Sequence, residues 1–584
     1  MYRSPVEDIL FSLRHVAGLD AAIAQGAFGD LDWDTVASVI GEAGRFATEV
    51  IAPLNRAGDL EGAKCENGVV TTPKGFRQAY KQWVEGGWAG VTAAPEQGGM
   101  GLPHSVNFAC SEIWNGASMG FALCPLLSEG ALGALNAYAS PQLKETYVKR
   151  LASGEWTGTM NLTEPQAGSD LNAVRARAER AGDGSYRIFG QKIFITYGEH
   201  DFADNIVHLV LARLPDAPAG TRGLSLFLVP KFLVKPDGSL GERNDARCAS
   251  IEHKLGIHAS PTCVMVYGDN EGAHGFLVGE ENRGLAAMFV MMNSARLSVG
   301  LQGVAIAERA YQHAAAYARD RKQGRAGAAP GMSPIVEHPD VQRMLLTMKA
   351  ELQAARGICH LTGVAIDLSR HAATKEAREA AAERASLLTP IAKAWSSDVG
   401  DEAASLGVQV HGGMGYIEET GAAQHMRDAR IAGIYEGTNG IQAIDLVTRK
   451  ITLGAGRAVA HEIAFIRAIA ADAHGRDGFG ATGKRLDEAA GALERATGYL
   501  LDALANDQNA ALAGAYAYLK LFGIALGGAC LAKAALAPEA DAGRVALARF
   551  FAEKLAPVAP GLAESILSGD AALAGAEAAL KEVA

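Results

Sequence analysis

The chain has 584 residues, of which 49% are hydrophobic and 20% are charged. This composition is typical of a folded protein and excludes a largely disordered chain, and the length predicts three or four structural units rather than one core. The formal net charge of -11 excludes the class of proteins built to coat nucleic acid, so we predict no nucleic-acid partner, although local basic pockets stay possible.

The seven cysteines form no CxxC pair and have no spacing with histidines that suits zinc, so we predict reduced core residues and no metal site. The N-terminus lacks an apolar region followed by a small-residue cleavage site, and we therefore expect a cytoplasmic protein. The most apolar run, residues 521–532, is shorter than the roughly 20 residues that a membrane-spanning helix needs. We interpret it as a buried helix and predict no membrane span.

The hydrophobic periodicity changes twice along the chain. A spacing of three to four residues predicts helices first, β-branched and aromatic runs then predict strands, and long helical patterns return after Gly284. This order predicts an α+β multi-domain fold without the alternating βα pattern of a doubly wound nucleotide-binding sheet. The predicted parts are an N-terminal extension (1–34), an N-terminal helical domain (35–156), a middle β-barrel-like or β-sandwich domain (157–275), a C-terminal four-helix bundle (276–453) and an extra C-terminal helical domain (457–584).

Two candidate site segments belong to the predicted β domain. The polar turn TEPQAGSD, residues 163–170, carries Thr163 and Ser169 into that domain. In the strand QKIFITYG, residues 191–198, the two-residue period places Phe194 and Thr196 on one face. An aromatic plane beside a hydroxyl would suit a flat ring ligand, and the alternative is an aromatic side chain that faces an ordinary core.

A third segment is the glycine-rich stretch GVQVHGGMGY at residues 407–416. Gln409 precedes the glycine pair Gly412 and Gly413, which lets a backbone approach a ligand closely. Glycine loops are common, so this stretch alone identifies no ligand.

The fourth segment, IAGIYEGTNGIQ at residues 431–442, places Glu436 among small and apolar residues. Burial disfavours an ionised carboxylate and raises its pKa, which suits a general base, whereas the alternative is an exposed turn residue. Thr438 or Asn439 can cap a helix that follows. The free N–H groups of that helix would favour an anion such as a pyrophosphate.

In this order and at this separation, the four segments resemble the acyl-CoA dehydrogenase flavoprotein family over about residues 35–450. The elements that carry the resemblance are TEPQAGSD, KIFIT, QVHGGMGY and IYEGT, together with the helical stretch at 291–322. The C-terminal extension resembles that of the larger bacterial members. The resemblance implies an oxidoreductase that acts on a CH–CH group with FAD as its cofactor.

The resemblance also implies roles for individual residues. Glu436 matches the catalytic base, Thr196 matches the residue near flavin N5, and Phe194 stands where the family usually has Trp. Arg321 matches an arginine that reaches the FAD pyrophosphate of the other subunit, which implies a homo-oligomer, at least a dimer. The implied FAD contacts are Met160, Thr163, Ser169, Phe194, Thr196, Arg321, Gln409, Gly412, Gly413 and Thr438, and the implied substrate contacts are Ser169, Asn293 and Arg296.

Three places depart from the family pattern. Asn293 replaces an acidic substrate contact, and Gly440 replaces a Gln that often follows the base by four residues. Gly324 and Arg325 stand where the family has an aromatic-Gly pair. The contacts of the replaced family residues are therefore not carried over to this chain.

The implied reaction is the α,β-dehydrogenation of an acyl-CoA thioester to the trans-2-enoyl-CoA. Glu436 would remove the α-proton while the β-hydrogen leaves as hydride to FAD, and an electron-transferring flavoprotein would accept the electrons. The acyl group would be short or medium in length, or a thioether such as 3-(methylthio)propanoyl. Two alternatives are an acyl-CoA oxidase that uses O2 and a catalytically silent flavin-binding assembly module.

Overall fold

The computed structural model describes residues 2–327 and 330–581, which form two compact units. The helical unit comprises the described residues of 1–44 and 299–584, and the sheet unit comprises residues 45–298. Helices precede and follow the strands along the chain, so the predicted order of helical, β, helical and extra helical parts is confirmed. The boundaries of the predicted domains stay predictions.

Helices dominate the chain before the central sheet. The longest of them, His104–Tyr138, is buried along most of its length, and Ser118 interrupts it with an extended backbone conformation. A short hairpin also lies in this region, with Asn67 and Gly68 joining strands β1 (Lys64–Glu66) and β2 (Val69–Thr71). The helices are α1 (Val6–Phe11), α2 (Leu19–Ala24), α3 (Trp33–Phe46), α4 (Leu54–Glu61), α5 (Phe76–Glu85), α6 (His104–Tyr138), α7 (Pro141–Leu143) and α8 (Lys149–Ser153).

The middle part of the chain forms a sheet that closes on itself. Strands β8 and β9 form a separate hairpin. The strands of this part of the chain are β3 (Thr157–Asn161), β4 (Arg177–Arg180), β5 (Tyr186–Thr196), β6 (Ile206–Arg213), β7 (Leu224–Pro230), β8 (Phe232–Val234), β9 (Leu240–Arg243), β10 (Ala246–Ile251), β11 (Thr262–Tyr267) and β12 (Ala273–Val278). The eight-stranded sheet has the order β10-β11-β5-β12-β7-β6-β3, and β4 pairs with both β5 and β6. Since β5 and β6 are already linked through β12 and β7, these strands close into a small barrel. The predicted barrel-like β domain is therefore confirmed.

Strand β6 shows how the sheet is held between two apolar layers. Its residues Val207, Leu209 and Leu211 join one buried cluster, whereas Val210 and Ala212 join another. Because successive side chains of a strand point to opposite faces, the two clusters lie on opposite sides of the sheet. The first cluster also contains residues of α6, so this helix covers one face of the sheet.

Long helices form the part that follows the sheet. The apolar side chains of Met344, Met348 and Leu352, which recur at helical spacing, are buried. At Gly300 and Gly303 an added Cβ would lie only 2.4 and 2.1 Å from carbonyl oxygens of a neighbouring helix, so glycine permits this close packing. The helices are α9 (Gly284–Asp320), α10 (Pro339–His371), α11 (Lys375–His411), α12 (Ala422–Ala429) and α13 (Asn439–Asp445).

The C-terminal extension belongs to the same compact unit as this bundle. An ion pair ties the two together, because Arg384 of α11 donates to both carboxylate oxygens of Glu462 at 2.6 and 3.1 Å. Gly527 of the extension lies against the Trp395 ring of α11, where an added Cβ would come within 2.8 Å of the ring. The helices of the extension are α14 (Arg457–Ala473), α15 (Thr482–Asn506), α16 (Gln508–Ala513), α17 (Ala515–Leu536), α18 (Ala542–Phe550), α19 (Ala559–Leu567) and α20 (Ala576–Leu580).

Three helices of the described chain, α6, α9 and α17, are long and apolar enough to cross a membrane by length and composition. The protein buries 89%, 61% and 78% of their respective apolar windows. The run 521–532 lies within α17, which has 22 residues, so the length argument against a span is wrong because the helix extends beyond the run. The burial of that run is confirmed, and the absence of a membrane span stays a prediction.

Candidate active site

The loop around Glu436 has an unusual backbone conformation. Glu436 has a φ of +57° and Gly437 has a φ of +83°, and the Glu436 side chain is half-buried rather than buried as the sequence led us to expect. A left-handed conformation costs a non-glycine residue roughly 1–2 kcal/mol and persists only where the surroundings enforce it. At Gly437 an added Cβ would lie 2.6 Å from the Gln442 amide nitrogen, so only glycine fits there.

Neighbouring side chains hold this loop through its backbone. Gln442, which is fully buried, donates from Nε2 to the carbonyl oxygens of Glu436 at 3.2 Å and Gly437 at 3.5 Å. Thr438 caps α13, because its Oγ1 accepts the N–H of Ile441 at 3.3 Å. Of the two predicted capping residues, Thr438 is thus the one that caps. Sequence reasoning gave Gln442 no role, although its place in the turn after the Glu-Gly pair is a usable signal.

Tyr435 supplies a neutral phenol next to Glu436 in the chain. Its hydroxyl donates to Oε1 of the buried Gln302. Burial raises the pKa of Tyr435 well above its usual range, and the negative charge of Glu436 raises that pKa further. Tyr435 therefore keeps its proton at neutral pH and brings no second negative charge to this loop.

The glycine-rich loop after α11 is open. Gln409 is exposed near the end of α11, and an added Cβ at Gly412 or Gly413 would meet nothing within 4 Å. Tyr416 at the end of the loop is 88% exposed. An accessible backbone beside an exposed aromatic ring is compatible with ligand contact, as predicted.

Arg321 follows directly after α9 and is exposed. Its guanidinium donates to the Gln323 side chain at 3.2 Å, and its carbonyl oxygen accepts the N–H of Ile335 at 2.8 Å. The backbone is thus held while the charged group lies at the surface. This placement leaves the guanidinium accessible to an anion.

In the sheet unit, the loop that begins at Thr163 is attached to strand β5. The N–H of Ile193 donates to the carbonyl oxygen of Thr163 at 2.9 Å, and Thr159 Oγ1 donates to the carbonyl oxygen of Thr196 at 2.7 Å. Met160 lies on β3 and is half-buried, whereas Ser169 is exposed in the loop. The structure therefore brings the predicted residues of β3, β5 and this loop into one region.

Phe194 lies at a β-bulge. The pairing of β5 with β11 shifts between Cys263 and Met265, and Phe194 itself has a φ of +60°. The bulge interrupts the regular alternation from which one shared face for Phe194 and Thr196 was predicted, so that shared face stays a prediction. The Phe194 ring is 57% exposed, which excludes the alternative of an aromatic side chain in an ordinary core. An exposed ring of this size suits a surface that a flat ligand covers.

A buried ion pair that the sequence analysis missed supports this region. Lys192 is fully buried, and its Nζ donates to Glu164 at 2.8 Å and to the carbonyl oxygen of Leu162 at 2.9 Å. Glu164 also accepts the N–H groups of Arg175 at 2.7 Å and Ala176 at 2.9 Å. Despite burial, the Lys192 charge and these amides lower the pKa of Glu164. The available signal was a lysine directly before the apolar run at residues 193–195 of the strand.

Two of the three predicted substrate contacts, Asn293 and Arg296, lie one turn apart on α9. Arg296 is buried, Asn293 is exposed, and Arg296 Nη1 donates to Asn293 Oδ1 at 3.5 Å. A neutral amide thus stands where the family pattern has an acidic residue. The arrangement keeps the arginine close to Asn293 without an ion pair between them.

Within the helical unit, the glycine-rich loop and Glu436 are separated along α11. Asn439 of the Glu436 loop bonds to Lys393, and the helix from Lys393 to Gln409 spans roughly 24 Å at 1.5 Å per residue. The structure therefore does not bring Gln409 beside Glu436 of the same chain.

Family models match almost the whole chain. They describe an acyl-CoA dehydrogenase N-terminal domain at residues 37–155, a middle domain at 159–270 and a C-terminal domain at 282–451. A fourth model, described as acetyl-CoA dehydrogenase C-terminal like, matches residues 461–577 in the extension.

Individual relatives agree with the family models. A 3-methylmercaptopropionyl-CoA dehydrogenase of Ruegeria pomeroyi is 49% identical over 95% of this chain and 94% of its own length. A butyryl-CoA dehydrogenase of Syntrophomonas wolfei is 36% identical over 78% of this chain and 76% of its own. The fold is shared with a Bacillus anthracis acyl-CoA dehydrogenase solved with FAD, with a TM-score of 0.74, 22% identity, and coverage of 92% of this chain and 89% of that one.

These matches agree with the motifs and with the order of the domains. Members of the matched family bind FAD, so the predicted cofactor is confirmed at the level of the family, and the predicted enzyme class is confirmed as well. The chain belongs to the acyl-CoA dehydrogenase family.

Proposed function

We propose that this protein dehydrogenates 3-(methylthio)propanoyl-CoA at its α and β carbons, with Glu436 as the catalytic base. The observation that carries the assignment of the base is the backbone at Glu436, which is held in a left-handed conformation by Gln442 and by the Thr438 cap. The substrate proposal is supported by the 49% identity to a 3-methylmercaptopropionyl-CoA dehydrogenase, which extends over nearly the full length of both chains. The aligned region therefore includes most of the C-terminal extension.

Glu436 has to remove a proton that is far too weakly acidic for a solvated carboxylate. Exclusion of water by the bound thioester would raise the basicity of the half-buried Glu436 carboxylate. The backbone N–H of Glu436 would donate to the thioester carbonyl oxygen, and one such donor is worth about 3 kcal/mol to a developing enolate. Bound FAD would supply the acceptor for the β-hydrogen, which would leave the substrate as hydride.

The chain's own residues would hold FAD in two regions. Phe194, Thr163 and Thr196 of the sheet unit would contact the flavin, because they combine an exposed ring with hydroxyl groups. Arg321 and the open glycine-rich loop would contact the pyrophosphate and adenosine parts of the cofactor. The remaining proposed contacts are Met160, Ser169 and Thr438 with FAD, Gln409 with its adenosine part, and Ser169, Asn293 and Arg296 with the substrate.

The proposed assembly is a homo-oligomer, at least a dimer, in the cytoplasm. The separation of Gln409 from Glu436 supports it, because the glycine-rich loop would then serve the cofactor bound by the other subunit. An electron-transferring flavoprotein would take up the electrons. An acyl-CoA oxidase would instead pass them to O2.

Anaerobic bleaching of the flavin in the purified holoenzyme tests the substrate. The matched pair is 3-(methylthio)propanoyl-CoA and pentanoyl-CoA, which differ only by sulfur in place of one methylene. We expect the limiting rate of flavin reduction divided by the apparent Kd to be about tenfold higher for the thioether, the low end of the 10- to 200-fold range by which an apolar pocket separates substrates that differ by one methylene. An equal or higher value for pentanoyl-CoA would contradict the substrate proposal.

The electron acceptor is tested with the same holoenzyme in air. We expect product formation to depend on added electron-transferring flavoprotein and to yield little hydrogen peroxide. Peroxide in a one-to-one ratio with the enoyl product, without an added acceptor, would show that the enzyme is an oxidase.

A further inference from the structure

Asn439 fastens the Glu436 loop to helix α11. This residue lies three positions after Glu436, at the start of α13, and its side chain is 6% exposed. Its Oδ1 accepts from Lys393 Nζ at 2.8 Å, and its Nδ2 donates to Asp398 Oδ1 at 2.7 Å. Further bonds join it to Ser397 Oγ, at 2.9 Å from Nδ2. All these partners lie on one helix, so the position of the loop depends on α11.

Asp398 connects Asn439 to the C-terminal extension. One carboxylate oxygen accepts from Asn439, and the other accepts from the Tyr516 hydroxyl at 2.6 Å. Tyr516 lies in the first turn of α17, which packs against α10, α11 and α13. A single carboxylate therefore joins the extension to the loop of the proposed base.

The Tyr516 side chain is 45% exposed, and a change to Phe keeps the ring and removes only the hydroxyl. The bond from its hydroxyl is charge-assisted, and bonds to charged groups contribute more than neutral ones. Without this donor, the half-buried Asp398 carboxylate has one oxygen less well satisfied, and its arrangement with Asn439 changes. The main effect of the hydroxyl is thus to orient the Asp398 carboxylate, rather than to stabilise the extension.

We propose that Tyr516 is a positioning residue for the Glu436 loop and acts through Asp398 and Asn439. This inference rests on the proposed role of Glu436. The extension would then serve catalysis directly, since it supplies one end of a hydrogen-bonded chain that fixes the loop. Small displacements of a reacting group reduce rates strongly even when the altered residue lies far from the chemistry.

The test compares Tyr516→Phe with Tyr518→Phe in the FAD-loaded, full-length protein. Tyr518 lies on the same helix and is fully buried, and its hydroxyl bonds to Thr497 within the extension at 2.7 Å. We expect Tyr516→Phe to lower the limiting rate of anaerobic flavin reduction by about three- to tenfold, the range of one hydrogen bond, with unchanged KM and FAD content and at most the small fall in Tm that follows the loss of one solvent-accessible hydrogen bond. Tyr518→Phe should lower Tm and leave the reduction rate unchanged.

Two further measurements separate positioning from a general structural effect. The isotope effect with α-deuterated substrate should rise in Tyr516→Phe, because proton removal becomes slower relative to the other steps. The double variant Tyr516→Phe/Asp398→Asn should be no slower than Asp398→Asn alone, since both changes break one chain of contacts. Additive losses, or a Tyr516→Phe rate equal to wild type, would overturn the proposal.

The outcome can be distinguished from a failure of the proposed base. If Glu436→Gln abolishes flavin reduction while Tyr516→Phe reduces at the wild-type rate, the base assignment stands and the positioning role is wrong. If Glu436→Gln reduces normally, the proposed function fails, and a rate loss in Tyr516→Phe alone would no longer support positioning of that base.

Discussion

Two glutamates of the sequence motifs, Glu164 in the sheet unit and Glu436 in the helical unit, have different structural roles. The Glu164 carboxylate accepts from Lys192 and from two backbone N–H groups, so the charge itself holds the loop to the strand. The loop of Glu436 is held through its backbone, because Gln442 donates to the carbonyl oxygens of Glu436 and Gly437.

This difference has a chemical consequence. A carboxylate that several donors stabilise is a weak base, and the pKa of Glu164 is accordingly lowered. The backbone bonds from Gln442 hold the Glu436 loop without using the carboxylate as an acceptor. The comparison supports a structural role for Glu164, and the catalytic role of Glu436 stays our proposal.

The largest effect on the structural side should come from Lys192→Met. Removal of one partner from a buried ion pair leaves the other charge buried and typically costs about 3–5 kcal/mol. We expect the free energy of unfolding of the FAD-loaded protein, measured in urea, to fall by this amount. FAD retention should fall as well. Lys235→Met, at an exposed lysine of the same unit, is the control and should behave like wild type. Equal urea midpoints for Lys192→Met and wild type would contradict the assigned role of the pair.

In the helical unit, Gly437→Ala should disturb the Glu436 loop. Its φ of +83° and the 2.6 Å approach of a Cβ to Gln442 predict a loss of about 1–2 kcal/mol and a slower flavin reduction. The control is Gly440→Ala, where the nearest atom to a Cβ is 3.9 Å away and no positive φ occurs. Thermal unfolding and stopped-flow reduction measure both effects. A Gly437→Ala protein as active as Gly440→Ala would show that the loop tolerates a changed backbone.

Phe194→Ala tests whether the exposed ring of the sheet unit binds the cofactor. Aromatic contacts contribute about 0.5–1.5 kcal/mol beyond their buried area, so FAD should dissociate a few- to tenfold more readily. The Tm of the FAD-free protein should not fall, because the ring is mostly exposed. Val69→Ala changes a similarly exposed residue in the β1–β2 hairpin and serves as the control. FAD occupancy after gel filtration decides the result, and equal occupancy of both variants would contradict the proposed contact.

A third glutamate, Glu351, has an environment that differs from those of Glu164 and Glu436. Burial, together with the nearby negative charge of Glu402, raises the pKa of Glu351 to about 8. The folded state then favours the protonated form, so this contribution to stability is full below the ordinary pKa of 4.5 and is lost as the pH rises to about 8. We expect Glu351→Gln to reduce the fall in Tm between pH 5 and pH 9.

Glu376→Gln, at an exposed position of α11, is the control for that pH series. It should leave the slope of Tm against pH unchanged. If Glu351→Gln shows the wild-type slope, the carboxyl group is not protonated preferentially in the folded protein.

Local signals in the sequence predicted much of this fold. The strands β5, β6 and β7 and the cap at Thr438 follow from side-chain patterns within a few residues, and all are present. The β1–β2 hairpin was also predictable, because Asn67-Gly68 is a strong turn signal. It was missed because the surrounding helical pattern dominated the interpretation.

Other parts of the site depend on contacts between distant residues. No glycine at the bulge itself indicates from the sequence that Phe194 has a positive φ. The pairing of Lys192 with Glu164 joins positions that only the folded sheet brings together. The chain of contacts from Tyr516 to Asn439 likewise requires the packing of α17. Sequence motifs can identify such residues, but their partners are determined by tertiary packing.

Anaerobic stopped-flow bleaching of the flavin in Glu436→Gln tests most directly whether Glu436 removes the α-proton. Gln keeps the shape of the side chain but lacks its basic carboxylate, so FAD and thioester should still bind. We predict that the reduction rate at saturating substrate falls by about 10²- to 10⁴-fold. Glu419→Gln, at an exposed neighbouring glutamate, should reduce like wild type. Reduction of Glu436→Gln at a rate close to wild type would contradict the claim and place the base elsewhere.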